Sequence, residues 1–538
     1  MMPAYADLII TNAKVYTVDE ENPRAEAVAV RGNNIVYVGD NPGVEAWRGD
    51  KTQVIDGNGR TLLPGLIDSH FHLMGGALGM GDVQLYDIKS LPELETAVKA
   101  HATANPKTAW LRGQGLRYDV PYTEPLTRHH LDAIEQERPL IIMAFDFHTV
   151  WANTAALKAA NLLNGYAKLP GGAEIIMGAD GLASGELREE AAYRLLLQHI
   201  PEESSERRRE LMQKGLAYLA SLGVTSVHNM DGDAEQAAFY AALEDLGELT
   251  LRVYIPYSII PETPVAAIAT EAVPMRAQFQ SDMVRAGAVK FFMDGVYESY
   301  TAVSLNAYPD QPDNYGDPIY KPGHFARMVN ECDRFGLQIF VHACGDGAVQ
   351  RVLNGFEGAQ KANGRRDSRH RVEHIEMIAW EDVPRFAELG VIASMQPLHA
   401  PIQENDPDVW PTRIAETDQP RAFAWRTLRE AGAILAFGSD WPVAPPDPIW
   451  GIAALLNRKG FRPGLDNHTQ TLAEAVAGYT RDAAYAEFQE DKKGQIKTGL
   501  WADMVLLSDD IFNIPTEKMM DVRVEKTIVN GRIVYEAR

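Results

Sequence analysis

Short apolar segments recur along the chain. Five of these segments have, at or near their C-terminal end, a side chain that could bind a metal ion. The first carries two histidines in a His-x-His arrangement, and residues two apart on a β-strand point to the same face. Imidazole is a ligand for zinc, iron, nickel and copper. A single His-x-His motif is weak evidence of a metal site. Five apolar segments in series, each with a potential ligand near its end, indicate one shared site. The residues concerned are His70, His72, Lys290, His342, His374 and Asp440.

The spacing of these segments predicts a parallel α/β fold. Helical stretches such as 322–335 and 380–389 separate the apolar runs, as expected when strands alternate with helices. Eight strand–helix units predict a TIM barrel, in which chemistry collects at the C-terminal ends of the strands. The predicted barrel strands lie around 63–68, 223–228, 250–256, 287–292, 337–342, 370–375, 390–395 and 433–439.

Each of these side chains also has an ordinary structural interpretation. A single histidine at a strand end is commonly a hydrogen-bonded core residue, and a buried lysine is commonly an ion-pair partner. Asp440 follows Gly-Ser and is also placed to cap the next helix. Six independent coincidences at corresponding strand ends are less plausible than one common site, so the shared metal site is the preferred interpretation.

The ordered ligand set resembles that of the metal-dependent amidohydrolase superfamily, and the resemblance covers essentially the whole chain. Within the superfamily the chain is most similar to the amidohydrolase-3 branch, which includes N-substituted formamide deformylases. The segments that carry the branch resemblance are 289–295, 341–346, 395–397 and 438–442.

The resemblance implies that one divalent ion is held by His70 and His72 and a second by His342 and His374. Lys290, if carboxylated, would bridge the two ions. The alternative is a single-metal site in which Lys290 stays an ammonium group paired with Asp294. Zinc is the expected metal because histidine and carboxylate ligands suit it and no redox role is needed.

This ligand set predicts hydrolysis by a metal-activated hydroxide. A bound divalent ion lowers the pKa of its water to about 7, and the hydroxide would attack a carbonyl carbon polarised by the metal. Asp440 is suited to accept the proton of the water and pass it to the leaving nitrogen.

The barrel is predicted to be one of three parts. Strand and turn patterns at both ends of the chain, residues 1–61 and 491–538, predict a small β-sandwich formed jointly by the two ends. The metal-dependent barrel spans 62–490. Its first and second strands are separated by an insert of about 73–221, which is far longer than an ordinary loop and helix.

Substrate contacts are assigned to the insert and to strand ends. His148 is interpreted either as a hydrogen-bonded loop histidine or as a substrate ligand. His228 is interpreted either as structural or as a group that polarises the substrate. The full set of predicted contacts is His148, Trp151, His228, Asp294 and Gln396.

Composition excludes several partners and compartments. The net charge of −23 argues against nucleic acid and anionic membranes. Two cysteines, Cys332 and Cys344, form no disulfide framework and are typical of a reducing compartment. Cys344 is not expected to bind metal because the histidine and aspartate set is complete.

The sequence shows no signal peptide or long apolar segment, so a cytoplasmic protein is expected. The oligomeric state stays open, a homo-oligomer included.

These observations predict a metal-dependent hydrolase of a C–N bond in a small molecule, namely an N-acyl, N-formyl or cyclic amide. Hydrolysis of an ester, lactone or phosphoester, or deamination of a ring, is the alternative on the same site. A non-catalytic scaffold is the third interpretation, and retention of all six site residues argues against it.

Overall fold

The computed structural model describes residues 5–120, 124–170, 172–401 and 409–538. Its centre is an eight-stranded parallel sheet in which the strands follow one another in sequence order. A parallel bridge between Phe71 and Trp441 closes the sheet into a barrel. The barrel strands are Leu66–Phe71, Val224–Asn229, Arg252–Ser258, Val284–Phe292, Gln338–Ala343, Arg371–His374, Ile392–Met395 and Leu435–Phe437.

The predicted (β/α)8 barrel is confirmed, with one shift at its start. The first barrel strand begins at Leu66, whereas Thr61–Pro64 forms a strand of another sheet. Gly65 separates the two strands. A Cβ atom at Gly65 would lie 2.3 Å from Thr225 Oγ1, so the backbone passes too close to its neighbour for a side chain. A single apolar run in the sequence thus serves two sheets.

Helices cover the outside of the barrel, and their apolar faces pack against its strands. The helices that belong neither to the inserted mixed sheet nor to the terminal sheets are, in chain order, Leu73–Gly79, Ser205–Ser221, Ala234–Asp245, Val265–Ala267, Val273–Gln278, Pro322–Arg334, Asp346–Asn363, Val383–Leu389, Trp425–Glu430, Pro448–Asn457, Leu472–Gly478 and Arg481–Ala486. Short helical turns are Glu45–Trp47, Ile268–Ala272, Trp380–Asp382, Pro397–His399, Trp410–Arg413, Gln419–Arg421 and Thr516–Asp521. None of the helices in the described ranges combines the length and apolarity needed to cross a membrane.

The two chain ends share one β-sandwich. Strand Met504–Leu507 pairs antiparallel with Thr61–Pro64, so the C-terminal strands extend a sheet begun by N-terminal ones. The first sheet contains Leu8–Thr11, Ala27–Arg31, Asn34–Gly39 and Gln53–Asp56. The second contains Lys14–Tyr16, Arg24–Ala25, Thr61–Pro64, Met504–Leu507, Val524–Val529 and Arg532–Glu536. Apolar side chains of both sheets form one core. Helix Asn41–Val44 packs beside the first sheet.

A buried ion pair fastens this sandwich to the barrel. Arg252 donates to both carboxylate oxygens of Asp503 at 2.6 and 2.9 Å. The guanidinium also lies 3.9 Å from the ring centre of Trp501. Both charged side chains are almost fully buried.

The segment between the first two barrel strands forms a mixed sheet with two apolar cores of its own. The segment begins with helix Leu73–Gly79 and ends with helix Ser205–Ser221, and these two helices pack against each other. Its strands are Val83–Gln84, Leu111–Leu116, Leu140–Ala144, Thr149–Ala152, Glu174–Met177 and Ala183–Arg188. Its helices are Leu91–Ala104, Arg128–Ile134, Thr154–Ala159 and Glu190–Leu197.

Candidate metal centre

The six predicted ligands line one cavity at the C-terminal end of the barrel strands. Asp440 stands between the histidines. Its Oδ1 lies 3.3 Å from Nε2 of both His70 and His72, and its Oδ2 lies 3.9 Å from Nδ1 of His374. The ring centres of His342 and His374 are 4.3 Å apart. Folding therefore assembles side chains that are up to 370 positions apart in the sequence.

Two of these residues have an unusual backbone conformation. His374 has φ of 72° and Asp440 has φ of 62°, a region that non-glycine residues enter at a cost of about 1–3 kcal/mol. The backbone N–H of Asp440 donates to the carbonyl of His70 at 2.8 Å. Barrel closure thus holds the aspartate against the His-x-His segment.

The donor set fits a cation. Buried polar atoms are normally hydrogen-bonded, yet several atoms of the centre have no hydrogen-bond partner among the described residues. They are His70 Nε2, both ring nitrogens of His374, Lys290 Nζ and Asp440 Oδ1. One candidate ligand group combines His70, His72 and Asp440, with the ligating atoms within 4.8 Å of one another.

Neighbouring groups fix which ring nitrogens are free for a metal. His70 Nδ1 lies 2.8 Å from Glu373 Oε2, so Nε2 is left for an ion. His342 Nε2 faces the carbonyl of Gly295 at 3.1 Å, which leaves Nδ1. Such partners orient metal-binding histidines and select their tautomers. His72 Nδ1 similarly lies 3.4 Å from Asp231 Oδ1.

Cys344 lies beside this centre. Its Sγ is 3.5 Å from His342 Nε2, the nitrogen that already faces the Gly295 carbonyl. Burial raises the pKa of the thiol well above its usual range. His342, Cys344 and His374 each also offer one potential ligand atom, and these three atoms lie within 4.8 Å of one another. The expectation that Cys344 does not bind metal stays a prediction.

Lys290 is fully buried inside the barrel. Burial lowers its pKa to about 8, although nearby carboxylates of Glu373, Asp440 and Asp231 oppose the shift. Its Nζ lies 4.0 Å from the ring centre of Phe292 and has no hydrogen-bond partner in the described part of the chain. The environment therefore increases the fraction of the neutral amine, the form that reacts with carbon dioxide, relative to an exposed lysine.

Asp294, proposed above as an ion-pair partner of Lys290, is engaged elsewhere. Its carboxylate accepts hydrogen bonds from the backbone N–H groups of Val303, Cys344 and Gly345 at 2.9–3.1 Å. Burial nevertheless raises its pKa to about 8. Asp294 lines the cavity, which keeps it among the candidate substrate contacts.

His148 also lines the cavity, and its ring centre lies 5.5 Å from that of His342. Its Nδ1 pairs with Glu189 Oε2 at 2.7 Å. Burial alone would lower the pKa of His148, but Glu189 and Asp146 raise it to about 9. The insert therefore contributes a charged histidine–carboxylate pair close to the candidate metal ligands.

Three of the predicted substrate-binding residues are not among the described residues that line the cavity. Trp151 packs in a core of the insert, 5.4 Å from the ring of Tyr118. His228 lies in the barrel interior beside Arg371, and burial lowers its pKa to about 4. Gln396 is buried, and neither atom of its amide has a partner among the described residues. Packing between distant elements, which the sequence pattern does not show, places these side chains away from the cavity.

Sequence reasoning missed several acidic and histidine neighbours of the centre. Glu373 directly precedes His374, and Asp231 follows the second barrel strand by two residues. His399, in the turn after the seventh strand, has its Nε2 3.9 Å from Asp440 Oδ2 and belongs to a candidate ligand group with His374. The available signal was position: Asp231 and His399 follow barrel strands, and Glu373 lies within the C-terminal half of the sixth strand.

The cavity has a volume of about 1070 Å³. The candidate metal ligands form part of its polar lining, together with other charged residues such as Asp146, Glu189 and Arg194. Both the insert and the barrel loops contribute to its walls. Aromatic side chains also line the cavity: Tyr86, Phe145, Phe147, Tyr193, Tyr218, Phe292, Tyr320, Trp441 and Trp450.

A barrel of this kind with candidate histidine and aspartate ligands at its strand ends is typical of metal-dependent hydrolases. The chain belongs to the amidohydrolase family, whose model matches residues 53–535. It is 29% identical to the putative amidohydrolase YtcJ of Bacillus subtilis, covering 97% of this chain and 98% of that protein. It is 25% identical to the N-substituted formamide deformylase of Arthrobacter pascens, covering 99% of both. An uncharacterized metal-dependent hydrolase from Pyrococcus furiosus has a similar structure, with a TM-score of 0.71, 25% identity and coverage of 92% and 97%.

Proposed function

We propose that this hydrolase cleaves the C–N bond of a small N-substituted amide, formamide or cyclic amide. The observation that carries the proposal is the convergence of His70, His72, His342, His374 and Asp440 around buried atoms that lack hydrogen-bond partners among the described residues. The similarity to an N-substituted formamide deformylase over 99% of both chains supports amide substrates.

The ligands would be divided between two divalent ions, with zinc the proposed metal. His70 and His72 would hold one ion and His342 and His374 the second. Carboxylated Lys290 would span the two, and Asp440 would contribute an oxygen. When bound, such an ion makes hydroxide available at neutral pH and polarises a carbonyl group.

Asp440 is the proposed proton carrier. Burial would raise the pKa of its carboxyl group, but the imidazoles of His70, His72 and His374 hold that pKa well below its usual range. The group is therefore a carboxylate at neutral pH and can accept the proton of an attacking water. Its position between the histidines lets it return the proton to the leaving nitrogen.

The size and walls of the cavity support a substituted amide as the substrate. At about 1070 Å³ the cavity is slightly larger than the range of about 300–1,000 Å³ that is usual for ligand pockets, and it far exceeds what a formyl group needs. The aromatic lining would contact an apolar substituent on the acyl carbon or the nitrogen.

A hydrolysis screen with the zinc-loaded enzyme tests this function. The panel contains N-substituted formamides, N-acyl amino acids, cyclic imides and lactones, and the Asp440→Asn variant prepared in parallel reveals contaminating activity. Turnover of amides well above that of lactones is expected. Turnover of lactones or phosphoesters alone would contradict the proposal and favour the alternative hydrolase activities.

A further inference from the structure

A buried network below the metal centre ends on the ligand His70. Arg371 and Glu373 are both fully buried within the barrel. Arg371 donates from Nε to Glu373 Oε1 at 2.8 Å and from Nη2 to Oε2 at 3.0 Å. The same Oε2 lies 2.8 Å from His70 Nδ1. Glu373 therefore joins a cation in the barrel interior to a predicted metal ligand.

The guanidinium of Arg371 is in turn fixed from several strands. It donates to Ser394 Oγ at 2.8 Å, to His228 Nδ1 at 2.8 Å and to the carbonyl of Ser69. These contacts join the first, second, sixth and seventh barrel strands. The arginine thus has little freedom to move, and neither does the carboxylate that it holds.

The network continues to the C-terminal part of the barrel. His228 Nε2 lies 3.2 Å from Glu487 Oε1, and Lys493 contacts the same oxygen at 2.5 Å. The His228 side chain therefore takes part in this hydrogen-bonded network and does not line the cavity.

We propose that Glu373 is a positioning residue for the metal centre, holding His70 with Nε2 free to bind the ion. A second consequence is electrostatic. Without the carboxylate, the buried charge of Arg371 would be unpaired close to the ligand and would repel a divalent cation. Glu373 stabilises the ion-binding state both by fixing the histidine and by compensating the arginine. This inference rests on the proposed metal centre.

Glu373→Gln tests the proposal through zinc affinity, measured by competition with a chromophoric chelator. Loss of such a partner typically weakens metal binding about 10- to 100-fold, and we expect a loss in that range. Unfolding of the metal-free protein in urea is measured alongside, so that a general loss of stability is recognised.

The matched control is Asp333→Asn. Asp333 is also buried and contacts a histidine and an arginine, His370 at 3.2 Å and Arg366 at 2.8 Å. Unlike the metal centre, it is not one of the described residues that line the cavity. We expect this variant to lose stability while its zinc affinity stays within twofold of the parent protein.

The inference would be overturned if the zinc affinity of Glu373→Gln stayed within twofold of that of the parent protein. It would also be overturned if Glu373→Gln and Asp333→Asn lost zinc affinity equally. If Glu373→Gln does not fold, Ser394→Ala removes one anchor of Arg371 and must show a smaller loss of zinc affinity. Unchanged affinity in that variant would also overturn it. Failure of the parent protein to bind zinc would instead reject the proposed metal centre itself.

Discussion

Replacing Lys290 by alanine tests the proposed bridging ligand. An ammonium group cannot coordinate a metal, whereas the carbamate formed from a neutral amine and carbon dioxide has two oxygens that can span two ions. We expect Lys290→Ala to lose bound metal and activity together. Short carboxylates such as acetate or propionate should restore part of both, because they supply the missing oxygen bridge.

The structure indicates how readily the reactive amine forms. Burial lowers the pKa of Lys290 from its ordinary value of 10.5 to about 8. The lowered pKa increases the neutral fraction at pH 7 about 300-fold, to roughly a tenth of the molecules. Carboxylation is therefore expected without an auxiliary enzyme, and bound cations would favour the anionic carbamate further.

The assay combines elemental analysis, hydrolysis rates and intact-protein mass. Lys493 is a buried lysine with an ion-pair partner, Glu487 at 2.5 Å, so Lys493→Ala is the control and should gain nothing from added acetate. An unmodified Lys290 in fully active, metal-loaded enzyme would refute the reasoning.

Four further variants separate the roles of other residues. Asp440→Asn should lower kcat by about 10²–10⁴-fold, the typical cost of a lost general acid or base, with much of the metal retained; near-normal kcat would remove Asp440 from the mechanism. His148→Ala should change the ranking of substrates by kcat/KM. Trp151 lies in the core of the insert, so Trp151→Ala should lower the free energy of unfolding in urea by about 3–5 kcal/mol and leave that ranking unchanged. Asp503→Ala should destabilise the fold by about 3–5 kcal/mol because Arg252 is left buried and unpaired; a loss under 1 kcal/mol in the same measurement would contradict that role of the ion pair.

The sequence was sufficient to predict the barrel because its buried strands are short apolar runs separated by amphipathic helices. The predicted fifth strand, 337–342, is Gln338–Ala343 in the structure. The first strand was harder to place, since a continuous apolar run is divided at Gly65 between two sheets.

The positions of the candidate ligands followed from the same pattern, but their partners did not. Glu373 contacts His70 across 303 residues of sequence, and no local pattern reveals such a pairing. The orientation of His228 and Trp151 depends on packing between strands and between cores. Residue type and strand position were therefore informative about the ligands and much less so about the substrate contacts.

Metal dependence of amide hydrolysis is the most direct test of the central claim. The enzyme is stripped with a strong chelator, and activity toward a responsive N-substituted amide is measured while zinc or manganese is added back, with bound metal determined by elemental analysis. The account predicts loss of activity on stripping and recovery in proportion to metal bound at His70, His72, His342 and His374. Full activity in a preparation shown to be free of metal would contradict it.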